Sequence, residues 1–207
     1  MMLAQRSVIL IRQRANALLS LKKFAQEIHL QLTDSHELLS LSYLPGFDPL
    51  HPDLYVGKPA QNPVKEEAIF SLSDDEIIHS YTRYLKEFRE NDIRRGSTSV
   101  GAHRDDFSIF SSGIDLCTYG SRGQVRTALL SLKLAEIEWM KEHTGTSPLL
   151  LLDETLAELD EKRSLDLLSR LEQYDQAILT TTDQTHFPTS FTENNTIWQV
   201  NGGVIKK

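Results

Sequence analysis

Apolar residues recur at spacings of three and four from Ile11 through Ala15, Leu18, Leu21, Ala25, Ile28 and Leu32. That period places them on one stripe and predicts a long amphipathic helix. Thr33, Asp34 and Ser35 end the pattern. Leu39, Leu41 and Tyr43 then alternate with Ser40 and Ser42, the period of a half-buried strand, until Pro45-Gly46 forces a turn. From there to Ser73, Pro45, Pro49, Pro52, Pro59 and Pro63 exclude long regular elements. Ser73 and Glu76 have the spacing of a capping box ahead of Ile77, Tyr81, Tyr84 and Phe88. A helix should start there and finish near Gly96, with Arg94 and Arg95 at its negative end.

The second half alternates differently. Ala128, Leu129, Leu132, Ala135 and Trp139 follow a helical period. Leu149 to Leu152, after Pro148, is too short for a helix and fits a strand buried on both faces, as parallel sheets require. Ala177 to Thr182 is expected beside it. Thr196 to Val200 and Val204 to Ile205, joined by Asn201-Gly202-Gly203, read as a hairpin closing the fold. The class is α/β.

Composition bounds the chemistry. The chain has 207 residues, 40% of them hydrophobic, enough for one or two small domains with a real core. Its single cysteine, Cys117, excludes an internal disulfide, and its seven histidines share no ligand-type spacing with it. No stretch has the apolar length of a membrane span or the layout of a signal peptide, so a soluble, cytoplasmic protein is expected. A net charge of -7 argues against nucleic-acid binding by bulk electrostatics, so DNA contact requires a local patch. Arg6, Arg12, Arg14, Lys22 and Lys23, which precede the first acid, Glu27, are the candidates. Such a set also serves as the ordinary solvated face of a helix.

Two segments carry chemistry. In Tyr119-Gly120-Ser121-Arg122-Gly123-Gln124-Val125-Arg126-Thr127, two glycines and a serine open a helix whose first N–H groups would face outward at the positive end of its dipole. That makes an anion site, although glycine and serine also serve as plain turn and cap residues. Asp153 and Glu154 stand at the carboxyl end of the Leu149 strand, where open α/β sheets bind ligands. One acid there can orient Mg²⁺ and the next can polarise water, or the strand simply stops at solvated acids. Gly57-Lys58 imitates a phosphate loop, but Pro52 and Pro59 occupy the positions that need Gly and Ser or Thr.

Taken together, Gly101-Ala102-His103-Arg104-Asp105-Asp106-Phe107, the loop at 119–128, Leu132-Lys133-Leu134-Ala135-Glu136, Leu150-Leu151-Leu152-Asp153-Glu154, Glu158-Leu159-Asp160-Glu161-Lys162-Arg163 and Thr180-Thr181-Thr182-Asp183 resemble the signature half of an ATP-binding-cassette ATPase. Within that superfamily the resemblance is to the RecF family of recombination mediators, over residues 97–190 and more weakly over the amino helix.

The resemblance implies a helical arm subdomain in residues 1–96 and the signature and Walker B part of the ATPase domain in 97–207. It implies that Ser121, Arg122, Gly123 and Gln124 touch the γ-phosphate of ATP held by an opposing subunit. Asp153 matches the Mg²⁺-orienting acid and Glu154 the catalytic acid. Ala157-Glu158-Leu159-Asp160 matches a loop that crosses the dimer interface, and Thr182-Asp183 the switch position. Ala102 stands where the family commonly has Pro, and Glu154 where many members have a second Asp. The family's function implies ATP and DNA binding at gaps, recombinase loading with RecO- and RecR-type partners, and a role in the SOS response. The phosphate loop of the amino-terminal lobe is missing from these 207 residues, so the chain is expected to be inactive alone and to need that lobe or a RecF-type partner. An exposed sheet edge or apolar patch is expected for the same reason. The alternatives are a catalytically empty interaction module and a neighbouring cassette ATPase of another DNA transaction.

Overall fold

A computed structural model describes residues 2–52 and 63–206. Gly57-Lys58 lies outside the described residues. The chain forms two compact units, Met1–Trp139 and Met140–Lys207.

In the first unit, α1 runs from Met2 to Leu32, and the expected stripe is its buried face, with Ile11, Ala15, Leu18, Ala25, Ile28 and Leu32 inside. Asp34 and Ser35 adopt left-handed backbone, and the Ser35 N–H closes the helix end on the Leu30 carbonyl at 2.6 Å. Strand β1 (Leu39–Leu44) buries Leu39, Leu41 and Tyr43, as its alternation requires. A short α2 (Glu66–Ile69) leads to α3 (Asp74–Glu87) and α4 (Arg89–Arg95). The expected single helix is therefore interrupted at Phe88 and ends, as expected, on left-handed Gly96.

Two strands escaped the sequence reading. Strand β2 (Asp106–Ser111) pairs antiparallel with all of β1, and β3 (Ile114–Asp115) pairs with the end of β2. A division at residues 96 and 97 thus separates motifs but not packing, because β1 and β2 form one sheet across it. Helices α5 (Leu116–Tyr119) and α6 (Arg122–Thr144) follow.

One buried carboxylate ties this unit together. The Asp105 side chain, 2% exposed, pairs with Arg14 of α1 at 2.6 Å. It also accepts the Tyr43 hydroxyl at 2.5 Å and the Gly46 N–H at 2.8 Å. Burial, followed by the Asp105 charge, pushes the Tyr43 phenol well above its ordinary value. Gly46 and Gly101 meet here backbone to backbone; a Cβ on Gly46 would lie 2.2 Å from the Gly101 carbonyl oxygen.

The capping box of α3 is present. The Ser73 N–H donates to Glu76 Oε2 at 2.7 Å and the Glu76 N–H donates to Ser73 Oγ at 3.3 Å. The bonds from the Ser73 backbone and then its hydroxyl hold the exposed Glu76 carboxyl below its ordinary value. Ser73→Ala should cost stability on the scale of one lost helix cap. Because the Glu76 pKa is depressed in the folded state, the wild-type advantage is complete at neutral pH and shrinks as pH falls through that depressed value. Urea unfolding of both forms at neutral and acidic pH checks this; an equal difference at the two would contradict it.

In the second unit, β4 (Leu150–Asp153) pairs parallel with β5 (Ala177–Thr180), with α7 (Glu161–Leu171) between them in sequence. Leu150 and Leu152 are buried, as are Leu167, Leu168 and Leu171 of α7. The expectation of a strand buried on both faces fails, since Leu151 is 66% exposed and its partner Ile178 is also exposed. No described residue covers that face, and the expected apolar patch lies there. A short α8 (Thr189–Asn194) precedes β6 (Gln199–Asn201) and β7 (Val204–Lys206), which form the expected hairpin. Every residue of both strands is exposed, so the hairpin does not close a core.

Among the described residues, no helix is long and apolar enough to cross a membrane.

Candidate functional site

In the first unit the candidate anion site is the start of α6. Asp115 caps the preceding α5 by accepting the Cys117 N–H at 3.0 Å. Gly120 then lets the chain turn closely over α5, where a Cβ would lie 2.6 Å from the Leu116 carbonyl oxygen. Ser121 and Gln124 form a reciprocal cap: the Gln124 N–H donates to Ser121 Oγ at 3.2 Å, and the Ser121 N–H donates to Gln124 Oε1 at 3.1 Å. Ser121, Arg122 and Gly123 are exposed, and the space over Gly123 is open. The N–H groups of Arg122 and Gly123 belong to the first helical turn, which has no intrahelical acceptors. The loop therefore offers outward donors at the positive end of a 23-residue helix.

Behind this loop lies Glu37, which the sequence reading did not single out. Its Oε1 accepts from Gln124 Nε2 at 3.4 Å and its Oε2 from Ser111 Oγ at 2.7 Å. His29, fully buried in α1, places Nε2 3.7 Å from Glu37 Oε2 and Nδ1 2.9 Å from Ser131 Oγ of α6. Burial raises the Glu37 pKa, but hydrogen bonds from Ser111 and Gln124 and the neighbouring His29 outweigh it and hold the carboxyl below its ordinary value. No local pattern marks Glu37, which lies 87 residues from Gln124.

In the second unit, Asp153 ends β4 and accepts a hydrogen bond from Thr180 Oγ1 at the matching end of β5. The same hydroxyl accepts the Glu154 N–H at 3.1 Å. Glu154 is held in left-handed backbone, at φ 50°, a conformation that costs a non-glycine residue energy and concentrates at functional sites. The turn thus fixes two adjacent carboxylates at a strand's carboxyl end, with Asp153 exposed. Among the described residues no group of three or more His, Cys, Asp or Glu side chains could hold a metal. A lone carboxylate here suits Mg²⁺, which commonly takes one or two carboxylates and completes its shell with phosphates and water.

Asp160 caps α7, accepting the Arg163 N–H at 3.0 Å and pairing with its guanidinium at 2.8 Å. The side chains of Ala157 and Glu158, in the same loop, lie outside the described ones. Thr182 is exposed, and Asp183 folds back to accept the Thr185 N–H at 2.9 Å. The first-unit loop and the second-unit acids are each formed locally.

The proposed basic face of α1 divides. Arg12 pairs with Asp74 at 2.6 Å and donates to the Leu72 carbonyl at 2.6 Å. Arg14 pairs with Asp105 and donates to the Ala102 carbonyl. Both head groups take part in holding the fold. Arg6 and Lys23 are exposed and Lys22 is half-buried.

No family model matches the chain. Among curated proteins, the DNA replication and repair protein RecF of Shouchella clausii is 32% identical over 205 residues, 99% of this chain and 50% of that relative. The protein of the same name from Staphylococcus aureus is 37% identical over 198 residues, 94% of this chain and 48% of that relative. That of an Exiguobacterium species is 36% identical over 87% of this chain and 44% of its own length. The chain thus spans about half the length of the curated relatives it matches. Two solved structures agree. The recombination mediator protein RecF-ATPrS in the RecFOR pathway superposes with a TM-score of 0.73 at 30% identity, over 98% of this chain and 47% of that one. The RecF-ATP structure gives 0.68 at 28% identity, over 98% and 47%.

Proposed function

This chain belongs to the RecF family, and we propose that it supplies the signature face of one composite ATP site and the acidic face of another, both used in DNA replication and repair. The observation that carries the reading is the reciprocally capped Ser121–Gln124 loop, which presents helix-start donors outward at exposed residues. In this reading Ser121, Arg122, Gly123 and Gln124 receive the γ-phosphate of ATP held by an opposing chain or lobe. Asp153 would hold Mg²⁺, which when bound neutralises charge on the phosphoryl oxygens. Glu154 orients the attacking water, and the Thr180 hydroxyl steadies the turn that aims both acids. Asp160 and Thr182 lie on loops that face the nucleotide in the composite site.

The whole protein would act in the cytoplasm on gapped DNA with RecO- and RecR-type partners, supporting recombinase loading and the SOS response. Arg6, Lys22 and Lys23 are the first DNA-facing candidates on α1, with Arg12 and Arg14 also engaged in the fold. The uncovered apolar face at Leu151 and Ile178 supports the need for further protein on this unit.

The 207-residue polypeptide contains no G-x-x-x-x-G-K-[ST] loop, so alone it should neither retain ATP tightly nor hydrolyse it. Mixed with complete Staphylococcus aureus RecF, it should associate in the presence of ATP and separate when ADP replaces it, as read by sedimentation. Tight stoichiometric ATP binding by the chain alone, lost on Asp153→Ala, would overturn this reading. Nucleotide-independent association would as well.

A further inference from the structure

We propose that Glu37 is a positioning residue for the signature loop, acting through the side-chain amide of Gln124. This rests on the reading of residues 121–124 as a phosphate-contacting loop. Gln124 faces two partners of opposite kind: its Oε1 accepts the Ser121 N–H, while its Nε2 donates to Glu37. Rotating the amide by half a turn would set an NH₂ against an N–H on one side and an oxygen against a carboxylate on the other. Glu37 therefore selects the orientation in which Gln124 caps Ser121.

The carboxylate is itself held in place. Ser111, at the end of β2, donates to its second oxygen at 2.7 Å, and His29 of α1 stands 3.7 Å from that oxygen. His29 in turn meets Ser131, whose hydroxyl donates to the Thr127 carbonyl at 2.7 Å, one turn into α6. α1 through His29, the end of β2 through Ser111 and the first turn of α6 through Gln124 thus converge on one side chain. The consequence is a loop whose order depends on the arm: a change in α1 around His29 is transmitted to the donors that meet the phosphate.

The test compares the 207-residue chain with Glu37→Ala, Glu37→Gln and Gln124→Glu, alone and with Gln124→Glu combined with Glu37→Gln. Amide hydrogen exchange is followed over residues 119–127. Glu37→Ala should speed exchange there about fivefold, the factor that accompanies loss of one helix cap, with α3 and the β1–β2 ladder unchanged. Glu37→Gln can still accept from Gln124 and should stay near wild type. Gln124→Glu sets two carboxylates together and should loosen the loop, and adding Glu37→Gln should restore it, a rescue that a merely structural role would not produce.

Exchange that is unchanged in Glu37→Ala, that rises equally throughout the unit, or that is not rescued in the double variant would overturn the proposal. ATP-dependent association with complete RecF separates the two levels. If the wild type does not associate, the composite-site reading fails while the exchange result still decides the role of Glu37. If Ser121→Arg abolishes association but Glu37→Ala, with its loop loosened, leaves it intact, the reading stands and the positioning role falls.

Discussion

Asp105→Ala should remove about 2–4 kcal/mol of stability from the first unit, the scale of leaving two buried donors without their acceptor. Three groups lose their acceptor together: the Arg14 guanidinium, the Tyr43 hydroxyl and the Gly46 N–H. Arg14 is 44% exposed and can turn to water, but Tyr43 is 2% exposed and cannot. An unsatisfied buried donor carries its full desolvation penalty, so the Tyr43 hydroxyl and the loop N–H set the size of the loss. With an ordinary urea dependence, the unfolding midpoint should fall by about 1–2 M. Asp105→Asn keeps one acceptor oxygen and should lose roughly half as much. A loss below about 1 kcal/mol in the alanine variant would mean that water or another residue replaces the carboxylate. The Gly101 to Phe107 segment is then a fold device, tying α1, β1 and β2 at one buried charge.

Ser121→Arg should abolish ATP-dependent association with complete RecF, weakening it by about a hundredfold or more, the scale on which losing one preorganised anion donor acts. Arginine at this position removes the oxygen that accepts the Gln124 N–H. It also sets a long side chain over the Arg122 and Gly123 donors, where the wild-type surface is open at Gly123. Ser121→Ala removes the cap without the bulk and should weaken association by only about fivefold. Sedimentation with ATP measures both. Association by Ser121→Arg within about threefold of wild type, on a scale where one preorganised donor is worth a hundredfold, would show that the loop does not meet the nucleotide.

Much of the fold was legible because its cues are local. The stripe from Ile11 to Leu32, the alternation at Leu39 to Tyr43 and the Ser73–Glu76 box each set an element by short-range period or capping chemistry, and each is present. Leu150 to Asp153 pairs in parallel with Ala177 to Thr180, the strand expected beside it. Strands β2 and β3 were missed although Phe107 and Ile109 alternate with polar neighbours and Ser112-Gly113 makes a turn; the segment was read only as a motif.

Long-range partners stayed hidden. Arg12 and Arg14 read as a cationic face because nothing near them in sequence reveals Asp74 and Asp105, which lie 62 and 91 residues away. Glu37 was silent for the same reason. The exposed face of β4 contradicts strand composition because Leu151 is apolar yet uncovered by the described residues. A run of four leucines specifies a strand meant for cover on both sides, not where the cover comes from.

The most direct test asks what the phosphate touches. Complete Staphylococcus aureus RecF is loaded with ATP carrying a photoreactive group on the γ-phosphate, mixed with the 207-residue chain and irradiated, and labelled peptides are identified by mass spectrometry. Label is expected on this chain within residues 119–127, absent when ADP competes and absent in Ser121→Arg. Label confined to the complete RecF, or falling on this chain only outside that loop, would contradict the claim that the capped start of α6 is half of a nucleotide site.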